Sequence, residues 1–448
     1  MYSIILKILS YLPQNIQEYF LKIVSSDIGG RISRGSFWAL SGSVISRTLM
    51  LISSIMIARI LGKTQFGEMS IIQSTVSMFI ALANFGLGIT ATKYIAEYRI
   101  KNPARAGNIL ASSRVVAFLF GTFFVLVFIL FAPAIAINIM KAPYLINELR
   151  VGGIILFFNA LNGYQSGALA GFEDFKTIAK INFWVGITYL PIIITTTLLF
   201  GLLGSILGLS VSSCIEWFIN NYFLQKKVKE YSITISADYT LKNFQYLWKF
   251  SLPAVLGGLL VGPVIWFTNI ILINTKNGYS EMAIYSVGRQ WQTFILFIPL
   301  ALAQIILPIL SNLKNDGDSF IRVFKYNVVI TSIITIMIAI MVSLFSGLIL
   351  KAYGSDFLEG KIVIIVLSFS AVLFALNNIA GYALASLGKM WAGFVSNLVW
   401  AISFIYFSHL MIGINLGALG LALAMLISYL IHSTTIFIMI KFYINKYL

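Results

Sequence analysis

Residues 36–62 read SFWALSGSVISRTLMLISSIMIARILG. The run is long enough to cross the roughly 30 Å hydrocarbon core of a bilayer as one helix, which takes about 20 mostly apolar residues. A charged residue, Arg47, stands in its middle. Ser36, Ser43, Arg47, Met50 and Ser54 recur at about helical spacing, so the helix carries one polar face. An amphipathic helix of this kind fits a membrane protein whose polar stripe turns inward, away from lipid.

The rest of the chain repeats the pattern. Apolar residues make up 59% of the 448, charged residues only 10%, and mean hydropathy is +0.92. Soluble domains have about half apolar and a quarter charged residues, so lipid is the solvent here. About twelve stretches are long enough to span. The first six lie near 36–58, 67–89, 110–137, 151–170, 178–199 and 202–224. The second six lie near 247–272, 288–310, 326–350, 361–386, 390–411 and 416–440. Turn residues and charges separate them: Gly62-Lys63, Asn102-Pro103, Ala142-Pro143, Asn277-Gly278 and Asp316-Gly317.

Loop charge orients this parsing. With the N-terminus inside, cytoplasmic segments hold 21 of the 31 basic residues. The outer loops hold seven: Arg59, Lys63, Lys141, Arg150, Lys276, Lys351 and Lys361. The remaining three, Arg47, Arg114 and Arg289, fall inside spans. Positive loops collect on the cytoplasmic side, so both termini are expected there. The net charge of +16 follows from this rule and does not call for nucleic acid.

Four segments are expected: a cytoplasmic arm (1–34) that is in part an interfacial helix, an N-lobe (35–224), a basic cytoplasmic linker (225–246) and a C-lobe (247–448). The lobes resemble each other. Ala160-Leu161-Asn162 and Ala168-Leu169-Ala170 recur as Ala375-Leu376-Asn377 and Ala383-Leu384-Ala385, 215 residues later. Glu68-Met69 recurs as Glu281-Met282, and Leu207-Gly208-Leu209 as Leu419-Gly420-Leu421. Two six-helix lobes with an even number of spans each are parallel repeats, related by a pseudo-two-fold axis along the membrane normal. The expected fold is an all-α polytopic membrane protein with its site between the lobes.

Polar stripes mark the candidate cavity: Arg47 and Ser43 on the first helix, Gln73, Ser77 and Asn84 on the second, Asn159, Asn162 and Ser166 on the fourth, Arg289 and Gln292 on the eighth, and Asn377 on the tenth. Arg114 joins them from the third helix, close enough to one end to reach lipid phosphate. A guanidinium in hydrocarbon is costly and faces a partner or a wet cavity. The same Ser and Asn stripes can also serve as glue between helices. Glu216 is the one carboxylate well inside a predicted span, and is the candidate site for a coupling cation. Three arginines against one glutamate favour an anionic cargo, since guanidinium grips phosphate in a bidentate manner. Gly257, Gly258, Gly262 and Pro263 on the seventh helix and Pro299 on the eighth are candidate hinges. A single cysteine, Cys214, and two distant histidines, His409 and His432, offer neither a disulfide nor a metal-ligand set. No cofactor is expected.

The run Ser36-Phe37-Trp38, Ile57-Ala58-Arg59-Ile60-Leu61-Gly62, Phe66-Gly67, Asn84-Phe85-Gly86-Leu87-Gly88 and Lys93-Tyr94-Ile95-Ala96-Glu97 resembles the start of bacterial polysaccharide-export flippases. These are the O-antigen and repeat-unit translocases of the multidrug/oligosaccharidyl-lipid/polysaccharide superfamily. The resemblance is strongest over residues 35–110. It implies a V-shaped pair of lobes in the bacterial inner membrane and alternating access. The implied cargo is an undecaprenyl-pyrophosphate-linked oligosaccharide, moved to the outer leaflet for O-antigen, lipopolysaccharide or other surface polysaccharide synthesis. Coupling to an H+ or Na+ gradient, contact with membrane lipids and partnership with other polysaccharide-assembly proteins are implied as well. So are cargo-gripping arginines in the first and eighth helices, the places of Arg47 and Arg289. A cation-coupled multidrug exporter would share the fold but usually carries more acid in its N-lobe. A lipid II flippase usually has about fourteen spans. A membrane enzyme would need a catalytic set on a large outer loop, and the outer loops here are short.

Overall fold

The computed structural model describes residues 27–84, 86–234, 260–313 and 316–447, and the regular structure among them is helical. Gly257, Gly258, most of the N-terminal arm and most of the linker lie outside the described residues. The helices are α1 (Asp27–Ala83), α2 (Leu87–Tyr98), α3 (Pro103–Ala134), α4 (Ile146–Gly171), α5 (Phe175–Glu230), α6 (Val261–Ile273), α7 (Gly278–Ile295), α8 (Phe297–Asn312), α9 (Gly317–Leu344), α10 (Ser346–Tyr353), α11 (Lys361–Ser386), α12 (Met390–Gly413) and α13 (Gly417–Tyr447). Among the described residues, eight helices are long and apolar enough to cross a membrane. Burial is inverted relative to a soluble protein: Leu130 is 75% exposed, Leu344 77% and Trp391 78%. Such a surface is stable only against lipid, and the chain is a multi-pass membrane protein.

Several predicted boundaries change. The first two spans are the two limbs of α1, which meet at a non-helical kink at Gly62, the expected break between them, where φ is +74°. The fifth and sixth spans are joined likewise in α5 at Gly201, with φ +58°. Left-handed backbone costs a Cβ-bearing residue strain that glycine escapes, so one glycine replaces a loop at each bend. The second predicted span breaks at Asn84, and the chain resumes as α2 behind Gly86, also left-handed. The eighth is divided into α7 and α8. Pro299 accounts for this break, because its ring conflicts with the carbonyl four residues back, on Ile295, where α7 ends. Pro263 stands in the first turn of α6, where a missing N–H is tolerated. At the supposed edges of the lobes, α1 already begins at Asp27 and α5 runs to Glu230, into the stretches read as arm and linker.

Residues 27–230 pack mainly among themselves, as α1 on α5, α4 on α3 and α5, and α2 on α4; residues 317–447 do the same through α11, α12 and α13. α1 joins the two groups by packing on α6 and α7. Turns alternate between two ends of the bundle. One end carries Gly62, Gly201, Asn277 and Gly354; the other carries Asn102, Asp174, Asp316 and Lys389.

Matched positions of the two halves make matched contacts. Asn162 donates its Nδ2 to the Ser213 carbonyl at 3.1 Å, and its Oδ1 accepts from Asn220. Asn377, 215 residues on, donates to the Tyr429 carbonyl at 3.3 Å and accepts from Ser433. At the Asn102 end, Asp174 pairs with Lys227 at 2.8 Å. The corresponding Lys389 lies 5.4 Å from the Tyr443 ring centroid. The helix geometry recurs in both places while the chemistry of the second contact differs.

Candidate functional site

A cavity of about 470 Å³ lies where α1, α5 and α7 meet. The first limb of α1 contributes Ser46, Arg47, Met50, Leu51, Ser54 and Ile57, and its second limb contributes Met69 and Gln73. Asn182 and Tyr189 come from α5, and Gln290, Thr293 and Phe294 from α7. Its volume is in the range of small-molecule sites, and its lining mixes an apolar wall with a few polar groups. Arg47 is exposed within it, its guanidinium 4.9 Å from the Phe297 ring centroid. Among the described residues no carboxylate lines the cavity and no ion pair to Arg47 occurs. A cation held over an aromatic face keeps nearly all its capacity for an incoming anion, since the ring offers a weaker contact than a carboxylate.

Gln290 sits at the cavity's upper margin, toward Gly62. Ser54 donates to its Oε1 at 2.7 Å, across the two halves, and the Tyr353 hydroxyl donates to the same oxygen at 3.3 Å. Above this level the halves are fastened. Arg59 donates from Nε to the Ala352 carbonyl at 2.6 Å and from Nη2 to that of Lys351 at 3.1 Å, satisfying carbonyls left open at the end of α10. Lys63 pairs with Glu359. Thr64 and Ser280 share a hydrogen bond of 2.9 Å, and Tyr279 donates to the Met140 carbonyl at 2.8 Å. Gly67 packs so closely on the Tyr279 backbone that a Cβ there would overlap its carbonyl.

The other sequence candidates divide into those that meet the cavity and those turned away from it. Gln73 lines it with Arg47. Ser43 lies on α1 at a position whose side chain is outside the described residues. Arg289 does not line the cavity. Its Nη1 donates to Gln292 Oε1 and contacts Met425 Sδ at 3.1 Å, placing it within the C-terminal half. Gln292 is buried and donates to Ser370 at 2.6 Å. One residue along a helix turns the side chain by about 100°, which is why Gln290 meets the cavity and Arg289 does not. Asn162 and Asn377 are the interhelical staples described above. Asn159 donates to the Ile155 carbonyl of its own helix. The Asn84 Oδ1 faces Gly163 of α4 and is buried without a partner. Arg114 is exposed on α3, within electrostatic reach of the Tyr164 hydroxyl. Glu216 on α5 forms no ion pair with any arginine among the described residues. The single cavity predicted for all of these stripes is thus corrected: polarity along a membrane helix marks either a wet face or a helix seam. Gln290, Asn182, Tyr189 and Thr293 were missed because no charge stands among them.

Comparison with solved structures places the fold. An inward-facing multidrug-resistance MATE family transporter of the MOP superfamily superposes with a TM-score of 0.75 at 16% identity, covering 91% of this chain and 98% of that one. The lipid II flippase MurJ in an inward closed conformation gives 0.72 at 16% identity, covering 89% and 86%. The chain therefore has the fold of the MOP-superfamily transporters. Within that class, the family described as polysaccharide biosynthesis protein matches residues 32–314, and the chain belongs to it. A putative O-antigen transporter of Shigella flexneri is 24% identical over 371 residues, 80% of this chain and 85% of that protein. The EPS I polysaccharide export inner membrane protein EpsE of Ralstonia nicotianae is 25% identical over 194 residues, 42% of this chain. The match spans 44% of the length of that Ralstonia relative.

Proposed function

We propose that this protein is a flippase for a lipid-linked oligosaccharide carrying an anionic pyrophosphate, with undecaprenol as the lipid. It moves the unit from the cytoplasmic to the outer leaflet of the bacterial inner membrane by alternating access, for O-antigen or another surface polysaccharide. The observation that carries this reading is Arg47, exposed in a cavity between the halves with no carboxylate on its lining among the described residues. The pyrophosphate would meet Arg47 and Gln290, the sugars would meet Gln73 and Asn182, and the polyprenyl chain would stay in lipid. Membership of the polysaccharide biosynthesis family and the likeness to a putative O-antigen transporter support the choice of cargo.

In this reading the two halves are six-helix lobes about a pseudo-two-fold axis, both termini are cytoplasmic, and the Gly62 end faces outward. On this reading the fastened seam at that end corresponds to an inward-facing state. Transport is coupled to an H+ or Na+ gradient, with Glu216 as the group that carries the cation. Other polysaccharide-assembly proteins receive the cargo on the outer side.

The test is deletion of the gene followed by extraction of lipid-linked oligosaccharide and surface glycan. Loss of surface glycan, with complete lipid-linked units accumulating on the cytoplasmic side, supports the flippase. Restoration by wild type but not by well-expressed Arg47→Ala places the anion site in the cavity. Unchanged surface glycan together with new sensitivity to cationic drugs would overturn the reading in favour of a multidrug exporter.

A further inference from the structure

We propose that Gln290 reads cavity occupancy and passes it to the outer seam: the cargo's oxygens accept from its Nε2, while its Oε1 holds the two halves together. The proposal rests on the anionic-cargo reading of the cavity and adds the residue that links binding to opening.

The geometry is a chain of contacts. Gln290 lines the cavity with Arg47. Its Oε1 accepts from Ser54 on α1 at 2.7 Å and from Tyr353 at the end of α10 at 3.3 Å. Its Nε2 has no hydrogen-bond partner among the described residues and is not among the buried unpaired atoms, so it is an accessible donor. Tyr353 is fully buried and packs edge-on against Phe66 of α1, with ring centroids 6.3 Å apart, and in a tilted arrangement against Phe357 at 5.9 Å. Phe66 and Phe357 also meet, at 6.0 Å, so three rings interlock across the halves. The two carbonyls that Arg59 grips belong to Lys351 and Ala352, immediately before Tyr353. Next after Tyr353 comes Gly354, with φ +146°.

One amide thus has two sides. Its oxygen accepts bonds from both halves of the closed seam, and its nitrogen is left to a ligand in the cavity that Gln290 lines with Arg47. An anion that draws Nε2 toward itself must rotate or shift the amide, which weakens the bonds to Ser54 and Tyr353. Loss of the Tyr353 bond frees a ring that is wedged in the seam. A ligand can shift a conformational equilibrium only through a difference in its contacts between states, and this amide supplies such a difference. The chosen ligand class is a pyrophosphate, because the cavity offers it both a guanidinium and a neutral donor.

The experiment uses the full chain in nanodiscs with Cys214→Ser, and spin labels at Asn147→Cys and Lys276→Cys, both exposed positions at the Gly62 end. Distances across the seam are measured with and without inorganic pyrophosphate, and binding is followed by calorimetry. The parent protein should give a short, narrow distribution that lengthens on binding. Gln290→Ala and Ser54→Ala should each lengthen it without ligand. Gln290→Glu keeps an acceptor for Ser54 and Tyr353 but loses the donor. It should stay closed without ligand and need at least about tenfold more pyrophosphate to open, since it loses one hydrogen bond to a charged group and adds a carboxylate that repels the anion. Wild-type distances in both Gln290→Ala and Ser54→Ala would overturn the link to the seam. A normal pyrophosphate response in Gln290→Glu would overturn the contact to cargo. Those outcomes leave the flippase reading standing if binding still requires Arg47, whereas no binding to the parent protein would overturn both.

Discussion

In the N-terminal half, Asn162 ties α4 to α5 through the Ser213 carbonyl and Asn220; in the C-terminal half, Asn377 ties α11 to α13 through the Tyr429 carbonyl and Ser433. The arginines do not follow this symmetry. Arg47 is exposed in the cavity, while Arg289 turns into the C-terminal half toward Gln292 and Met425. The matched glutamates diverge as well. Glu68 accepts from the Tyr144 hydroxyl at 2.6 Å, and Glu281 accepts from the backbone N–H of Ala418 at 2.7 Å, at the start of α13. The repeated contacts hold helices together, while the divergent ones include the one arginine that lines the cavity. Repetition of the wall therefore does not carry repetition of the site.

The sharpest way to break this comparison is to remove each arginine. Arg47→Ala should abolish restoration of surface glycan while changing stability by less than about 0.5 kcal/mol, because the side chain is exposed and bonded to no acceptor among the described residues. Arg289→Ala should instead destabilise the protein by about 1–3 kcal/mol, because it strands the buried Gln292 oxygen. Thermal unfolding in detergent alongside the complementation assay checks both. Equal loss of stability in the two variants would erase the distinction.

A smaller effect tests the shared wall. Asn162→Ala and Asn377→Ala should each cost about 0.5–2 kcal/mol, and by similar amounts, since each removes one interhelical staple at the same place in the repeat. The check is the unfolding temperature of each variant. A large loss in one and none in the other would show that the staples are not equivalent.

The smallest effect concerns the Asn102 end. Partial burial of Asp174 opposes its ionisation, but hydrogen bonds from Lys227 and Thr177 outweigh it and hold the carboxyl below its usual range. A depressed carboxyl contributes stability above its unfolded value, near pH 4, and loses it as pH falls through the lower folded value. Asp174→Asn should therefore flatten the acid limb of the stability profile below about pH 4. Lys389→Met, at the matched position of the other half, should leave that limb unchanged. Acid titration of unfolding reads the difference.

How far the sequence could be read follows from the same contrast. Spans were legible because hydrocarbon thickness demands about 20 apolar residues whatever the topology. The bends at Gly62 and Gly201 were read as short breaks; only backbone geometry shows each fold closing on a single left-handed glycine. Arg47 was legible as a cavity residue because its charge is too costly to leave in lipid. The roles of Asn162, Asn377 and Gln292 were not, because a membrane helix presents the same polar stripe to water and to a neighbouring helix. Gln290 went unseen beside a charged neighbour that points elsewhere.

In the proposed cycle Arg47 grips an anionic lipid-linked cargo in the cavity between the halves. The most direct measurement is transfer of an undecaprenyl-pyrophosphate-linked oligosaccharide across proteoliposomes holding the purified protein, wild type beside Arg47→Ala, with an ion gradient imposed. The account predicts transfer by wild type and a fall of at least about tenfold in the variant, the loss of one charge-assisted contact to phosphate. Equal transfer by the two proteins would contradict it.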